Sequence, residues 1–448
     1  MSRRRLVYSF LAVVFVLFLS TSAFAAGFAL YEGSARGNVL GAGLTASADD
    51  PSAVFYNPAG ITQLKGTQVM GGATFIYPKT DVLTTGSITW SGAPGAAVPG
   101  TTGTGTNDTG STDNWWIPVH AYITQQINDK WWAGFGIFSR FGLGTQFDPN
   151  WPGRYNSYYA RIRSLELNPN IAYKVNEKFS VAGGLNLMYF DLKLEQKINA
   201  GTFGGAALTY PTLADANSTL EGDSWGWGFN LAMHYKPTQD WMLGISYRSR
   251  VSQKITEGDA DFTKPASWAA FGATNALLLR DTKAAGGLHL PDEVFAGIAW
   301  KATPTVTLGG GVYWTRWSSY DKLQITYKLP IAPGVDTVTK TKNWEDVYRF
   351  MIGGEWKFMP NWRASVSYAY DQEPINDQYA DYLVPASDRN MLSAGLGWDY
   401  KNWTTDFSYT LILINARTIP ARPADGVLAS EFRNGIAHLF GFSIGYKF

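Results

Sequence analysis

The sequence predicts an all-β fold: a transmembrane antiparallel β-barrel of about fourteen strands with an N-terminal plug, or hatch, inside the lumen. Three observations predict it. Charged residues are only 16% of the chain and aromatics 15%, against roughly 25% charged in ordinary globular domains, and the mature chain holds no apolar run of the ~20 residues a membrane helix needs. Segments near or above the ~9–11 residues of a tilted membrane strand alternate apolar with small or polar residues. The connections between them alternate short with long, as periplasmic turns and extracellular loops do.

The chain opens with Arg3-Arg4-Arg5, an apolar run from Leu6 to Leu19 and Ala23-Phe24-Ala25. That order of charge, short apolar run and small-residue site predicts a cleaved secretory signal peptide over residues 1–25. Loss of the three leader arginines from 37 Lys and Arg, against 36 Asp and Glu, leaves a mature net charge of about −2, which argues against a nucleic-acid partner. Cysteine is absent, so no disulfide, thiolate nucleophile or Cys metal site is available. His120, His234, His289 and His438 show no ligand spacing. Serine is plentiful without a convincing Ser/His/acid grouping, so the chain is read as no enzyme, with no cofactor.

Residues 26–66 have neither strand nor helical period. Asp50-Pro51 and Asn57-Pro58 start turns, because a residue before proline is pushed out of the helical region, and Gly33, Gly37, Gly41 and Gly43 admit unusual backbone. An irregular segment survives at membrane depth only where protein buries it. It is therefore placed inside the barrel of residues 67–448.

Strand starts are expected near Thr67, Trp116, Trp131, Ala160, Lys178, Ser224, Asp240, Leu290, Thr305, Lys342, Asn361, Asp388, Asn402 and Ile436. The last strand is the clearest: Phe440, Phe442, Ile444, Tyr446 and Phe448 alternate with Leu439, Gly441, Ser443, Gly445 and Lys447. Trp225, Trp227, Phe229, Leu231, Met233 and Tyr235 form a second outward face. Short turns such as Asn128-Asp129-Lys130-Trp131 and Lys401-Asn402-Trp403 put a tryptophan just inside the bilayer. Long connections fall at 78–114, 141–159, 195–223, 257–289, 329–341, 372–387 and 415–435. Residues 86–112 are mostly Gly, Ser, Thr, Ala and Pro, a surface-loop composition. Loop 195–223 carries Phe203, Leu208, Tyr210 and Leu213. Loop 257–289 carries Trp268, Phe271 and Leu277-Leu278-Leu279, with Ser267 a candidate helix N-cap. Apolar residues on an extracellular loop suggest either a binding groove or two loops packing together.

Strands two and three are irregular. Pro118 removes a ladder donor, and Gly134 and Gly136 before Phe138 allow a bulge or bend. That reads as ordinary curvature or as a gap opening sideways to lipid.

The start Ala26-Gly27-Phe28, the Ala48-Asp49-Asp50 step, Asn57-Pro58-Ala59, Ile127-Asn128-Asp129, Leu290-Pro291-Asp292-Glu293 and Thr315-Arg316-Trp317-Ser318 resemble the FadL family, outer-membrane transporters of long-chain fatty acids and toluene-type hydrocarbons. The resemblance implies a Gram-negative outer-membrane location, a hydrophobic ligand, outer-membrane lipid as a partner, a monomer, and assembly machinery reading the C-terminal Phe448. It implies low-affinity capture by the two apolar loops, through Phe203, Leu208, Trp268, Phe271 and Leu278. A pocket lined by the lumen and by Phe28, Leu30, Phe55 and Tyr56 is expected to follow, gated by Gly27, Phe28, Ala29 and Leu30. Asn57, Pro58 and Ala59 are expected to hold the plug against strand three, and the solute to leave sideways near Pro118, Gly134, Gly136 and Phe138. The alternative is a water-filled porin for small polar solutes, which inward rings of charge would favour; inward positions here are mostly Gly, Ser, Ala and Thr, with sparse charges such as Arg248, Glu355 and Arg363. Candidates to meet a carboxylate are Arg161, Arg163, Arg248 and Arg363; an aromatic hydrocarbon needs none.

Overall fold

The computed structural model describes residues 27–85, 106–112, 114–199 and 214–448; the expected leader lies outside them. Strands are numbered here as staves, some of two segments. They are β1 (Thr67–Thr85), β2 (Thr106–Gly110 and Val119–Gln126), β3 (Trp131–Phe138 and Gly142–Gln146), β4 (Tyr159–Lys174), β5 (Phe179–Ile198), β6 (Ala216–Tyr235) and β7 (Trp241–Arg248 and Val251–Thr263). The rest are β8 (Thr282–Leu290 and Glu293–Lys301), β9 (Val306–Thr315 and Lys322–Tyr327), β10 (Thr337–Thr341 and Val347–Met359), β11 (Trp362–Asp371), β12 (Arg389–Tyr400), β13 (Trp403–Ile414 and Arg417–Ile419) and β14 (Ala429–Lys447). Each is antiparallel to the next, and β14 pairs back onto β1 from Gln68↔Lys447 to Thr85↔Ala429, which closes the barrel. Closure removes the free edges that a bilayer cannot satisfy.

Alternation sets the two faces. Trp225, Trp227, Leu231 and Met233 of β6 are exposed, while Asn230, Ala232 and His234 between them are buried. At the short-turn end, rings on neighbouring strands form a girdle: Trp241 stacks on Trp300 with centroids 5.4 Å apart, Trp362 meets Trp398 at 6.1 Å and Trp403 meets Tyr446 at 4.7 Å. At the other end the staves run past the expected loop boundaries. Residues 195–198 and 216–223 are strand, as are 257–263 and 282–290. Their outward residues are mostly polar, and the ladder continues above the lipid, with a register shift between Ile255 and Gly258. Ser267 does not cap a helix: the 3₁₀ segment Ala266–Leu277 begins after Pro265 without a side-chain cap.

The lumen holds the hatch: α1 (Ala35–Ser47), α2 (Ala53–Tyr56) and a 3₁₀ turn, Pro58–Gln63. The Ser34 side chain accepts from the Gly37 N–H (3.0 Å) to start α1, filling one of the orphan donors of a helix N-terminus. Most of α1 is buried around its whole circumference, which is what a helix enclosed by a barrel requires. Inward polar side chains of the wall tie it down. Ser443 Oγ accepts from Ala35 N–H (2.9 Å), Asn38 Nδ2 donates to Thr74 Oγ1 (3.0 Å), and Thr62 Oγ1 donates to Ser180 Oγ (3.0 Å).

Candidate functional site

The wall is interrupted at β3. Up to Phe138 it pairs with β2, ending at His120↔Phe138. Among the described residues the β2 stave next reaches β3 where Thr112 N–H donates to Gln146 O (2.8 Å) and Asn114 Nδ2 to Gln146 Oε1 (2.7 Å). Between these points β3 turns inward and finds other partners. Leu30 N–H donates to Arg140 O (2.7 Å), and Gly142 N–H to Phe28 O (3.0 Å), with Ala29 bridging Phe141. On the far side Ser164 Oγ accepts from Phe141 N–H (2.9 Å) and donates to Phe141 O (2.7 Å), substituting for one ladder pair. The N-terminal segment is thus a short extra strand laid on the break.

Phe28 anchors that strand. It is buried with its ring edge-on to Trp317 (4.6 Å), Trp344 (5.5 Å), Phe141 (6.2 Å) and Tyr320 (6.2 Å). Gly27, at φ +55°, turns the chain where a Cβ would fall 2.7 Å from Trp344, so only glycine fits there.

Behind the break lies a cavity of about 400 Å³. Ala29 and Leu30 of the N-terminal strand, Trp116, Ile117 and Pro118 of the wall edge, and Met391, Ile412 and Leu439 of the lumen line it. Arg349 and Arg389 are among its polar members. Arg349 and Arg389 share Asp371, at 3.9 and 2.8 Å, and the Arg349 guanidinium sits 4.8 Å over the Tyr31 ring. The Nε of each arginine is buried without a hydrogen-bond partner among the described residues. Two guanidiniums with spare donors, set against Asp371 and with Glu32 close by, can still donate to an anion. Glu32 lines the same cavity.

Residues 372–388 close the extracellular side. Leu383 O accepts from Thr145 Oγ1 (3.2 Å), and Tyr382 N–H donates to Asn156 Oδ1 (3.0 Å). Val384 to Ser387 form part of the cavity wall. Burial in this loop pushes Glu373 up to about 8 and Asp388 up to about 7.

The expected site residues separate into groups. Gly27, Ala29 and Leu30 line the cavity, and Phe28 packs behind it. Phe55 and Tyr56 lie outside its lining. Phe55 packs on Phe138 (4.9 Å), and the Tyr56 hydroxyl donates to Tyr31 O (2.8 Å), which makes both internal supports of the hatch. Asn57 ties the hatch to β6 rather than to β3: Nδ2 donates to Thr45 O (2.8 Å) and to Met233 O (3.0 Å), while Oδ1 accepts from Ala59 N–H (3.2 Å). Pro58 and Ala59 begin the 3₁₀ turn, and Ala59 O accepts from Ser180 Oγ (2.9 Å) on β5.

Gly134 and Gly136 serve close approach. A Cβ on them would meet Val54 at 2.9 and 3.0 Å, so strand three touches the hatch through bare backbone. Pro118 borders the break, but its carbonyl accepts from Thr74 N–H (3.0 Å); its missing donor therefore faces β1. Phe203 and Leu208 lie outside the described residues. Trp268 and Leu278 are buried in a separate cluster with Leu279 and Tyr327, and Phe271 packs on it.

Of the proposed carboxylate partners, Arg161 pairs outside the lumen with Asp191 (2.8 Å). Arg163 lies at the cavity mouth, largely exposed and paired with Asp191 (3.0 Å). Arg363 is held by Asp399 and Asp406 (2.6 Å each), and Arg248 is committed to Glu166 (3.1 Å) and the hatch. Sequence reasoning missed Arg349 and Arg389. The signal existed for Arg349, whose neighbours Tyr348 and Phe350 are exposed on the outer face, which turns it inward. Gly222-Asp223-Ser224-Trp225-Gly226 fits the Gly-x-Ser-x-Gly pattern, but it runs straight through β6, without the strand-to-helix turn that exposes a nucleophile. Ser224 Oγ donates to Gln253 Oε1 (2.9 Å).

A family model described as outer membrane protein transport protein (OMPP1/FadL/TodX) matches residues 16–448. The long-chain fatty acid transport protein of Escherichia coli strain K12 is 26% identical over the whole of both chains. The 47 kDa outer membrane protein of Pasteurella multocida is 28% identical, with 99% of this chain and 98% of that one covered. A Pseudomonas aeruginosa FadL homologue superposes with a TM-score of 0.76 at 21% identity, over 94% of this chain and 99% of that one. The Pseudomonas putida toluene transporter TodX does so with 0.64 at 15% identity, over 96% and 100%.

Proposed function

This chain belongs to the outer membrane protein transport family (OMPP1/FadL/TodX), and from that premise we propose that it imports long-chain carboxylates, taking up the carboxylate at Arg349 and Arg389 and releasing the solute sideways through the break in β3. The observation that carries this reading is a mostly apolar cavity with two spare arginine donors at one point and a wall gap at another. A ring hydrocarbon would use the apolar lining and leave those donors idle.

Sideways release follows from solvation. Each methylene resists water by about 0.8 kcal/mol, so a long acyl chain resists by roughly 10 kcal/mol or more. Passage from an apolar cavity to lipid through the wall is close to level, whereas descent through water is steeply uphill. For the solute to leave, residues Gly27 to Leu30 must lift from Arg140 and Gly142, because they lie across the opening. The hatch stays behind as a stopper, which a water-filled porin would lack. Capture by the apolar residues of the loops after β5 and β7 precedes the cavity in this reading.

The test is uptake of labelled oleate and labelled toluene by cells without their own hydrophobic transporter, comparing the parent with the Arg349→Gln/Arg389→Gln double variant. Hydrogen bonds to charged groups contribute about 1.5–3 kcal/mol, so oleate uptake at limiting concentration should fall roughly 10- to 100-fold, with toluene uptake unchanged. Equal loss of both solutes, or oleate uptake equal to the parent's, refutes the carboxylate reading.

A further inference from the structure

A line of buried charges runs from the break in β3 to the hatch, and solute binding as described above makes no use of it. Arg140 lies in the break with a fully buried side chain; Nη1 donates to Glu166 and Nε to Glu293, both at 2.9 Å. The other oxygen of Glu166 accepts from Arg248 Nη1 (3.1 Å). Arg248 Nη2 donates to the carbonyls of Val54 and Phe55 in the hatch, at 2.9 Å each. At the opposite end the Arg140 carbonyl accepts from Leu30 N–H (2.7 Å). One connected line therefore touches the N-terminal strand, the wall break and the hatch.

This network is not built for stability alone. Arg140 Nη2, Arg248 Nε and Glu293 Oε1 are buried without partners among the described residues. A half-satisfied buried network is worse than apolar packing of the same volume. Its spare donors and acceptor also keep another pairing within reach, since a guanidinium can grip both oxygens of one carboxylate.

We propose that Glu166 is shared between two grips, and that Arg140 is the positioning residue that couples the N-terminal strand to the hatch. While Leu30 holds the Arg140 carbonyl, Glu166 is divided between Arg140 and Arg248, and Arg248 clamps Val54 and Phe55. When the N-terminal strand lifts, β3 relaxes and Arg140 takes both oxygens of Glu166. Arg248 turns to Glu293, its cross-strand neighbour freed by Arg140, and the clamp on the hatch loosens. The inference rests on the transport reading only in taking the solute as the agent that lifts the strand.

The chain has no cysteine, so Ser47→Cys, at a buried position in the hatch, gives a single reporter thiol. Its reaction with a membrane-impermeant maleimide is followed in the full-length protein in lipid, with heat-modifiable gel mobility as the folding check. Phe28→Ala, which removes the anchor of the N-terminal strand, should raise the labelling rate about tenfold or more. In the Arg140→Gln/Glu293→Gln background, where the Glu166–Arg248 pair stays balanced, Phe28→Ala should change it less than about twofold. Arg140→Lys, which keeps the charge without the fork, should blunt the response in the same way. Arg248→Met should expose the thiol with Phe28 intact. A merely structural role predicts loosening in every variant, so equal exposure by Phe28→Ala in all backgrounds, or a protected thiol in Arg248→Met, overturns the coupling. Oleate added to the reporter protein should reproduce the effect of Phe28→Ala; if it fails where Phe28→Ala succeeds, the solute reading falls and the coupling stands.

Discussion

Asn57→Ala tests whether the hatch is held separately from the barrel. Asn57 has no exposed surface, and its side chain makes three hydrogen bonds, to Thr45 O, Met233 O and Ala59 N–H. Truncation leaves two carbonyls and one amide buried without those partners. Each such group costs about 1–3 kcal/mol, and partial relaxation brings the total to roughly 3–4 kcal/mol, a factor of about 10² to 10³ in a local opening equilibrium. The loss falls on the hatch, because Asn57 contributes nothing to the ladder that closes the barrel. Hydrogen exchange in lipid nanodiscs should therefore show protection of residues 45–63 falling by roughly two orders of magnitude. Strands β12 to β14 should keep the parent's protection, and conductance for small ions should rise. Asn57→Asp should loosen the hatch further, since a carboxylate would face two carbonyl oxygens. Unchanged protection of residues 45–63 in Asn57→Ala, or a loss spread evenly over the barrel strands, refutes the reasoning.

Gly136→Leu should jam or displace the hatch, because even a Cβ there meets Val54 at 3.0 Å and Phe138 at 2.8 Å. Solute uptake should drop several-fold while Gly71→Leu, where a Cβ meets only His120 O at 3.7 Å, changes less. Loop 372–388 should open as pH rises. Burial lifts the folded-state value of Glu373 to about 8 from an ordinary one near 4.3, so the folded loop holds the extra proton across that window. Its packing is fully stabilised below about pH 4.3, weakens by up to about tenfold per pH unit above it, and has lost this contribution above about pH 8. Exchange of the loop amides, corrected for intrinsic rate, should show this between pH 5 and 9, and Glu373→Gln should flatten the profile.

The barrel was legible because its signals are local. A strand crossing lipid declares its faces by alternation, as Phe440 to Phe448 do, and four of the tight turns are marked by a following tryptophan, Trp131, Trp241, Trp362 and Trp403. The plug was legible by exclusion, since Asp49 to Gly60 fits no other setting. What the residues of one chain do not carry is which distant group meets which. Asn57 was expected at β3 and binds a carbonyl of β6, because the amide offers donors to any carbonyl within reach. Gly134 and Gly136 suggested a bend, whereas their bare backbone admits Val54. Arg349 and Arg389 lie forty residues apart in the chain; pairing through β11, from Arg349↔Asp371 to Asp371↔Arg389, brings them to one carboxylate. The upper ends of the staves were misplaced for the reverse reason: polar residues above the bilayer read as loop, while the ladder there continues through a register shift.

The break and the plug are parts of one solution. A gap in a barrel wall frees backbone donors and acceptors at membrane depth, where each unsatisfied group costs several kcal/mol. Here the freed groups of Arg140 and Gly142 are taken by Phe28 and Leu30, and those of Phe141 by the Ser164 hydroxyl. The segment Phe28 to Leu30 is therefore what makes an interrupted wall compatible with a stable barrel. In the proposed release path, lifting it cannot be free, and the cost must be met while the solute passes. A solute whose carboxylate gains the spare donors of Arg349 and Arg389 brings interaction energy into the cavity at that moment. A hydrocarbon brings only its apolar surface, so the same gate should yield less readily to toluene than to oleate even where both fit the cavity.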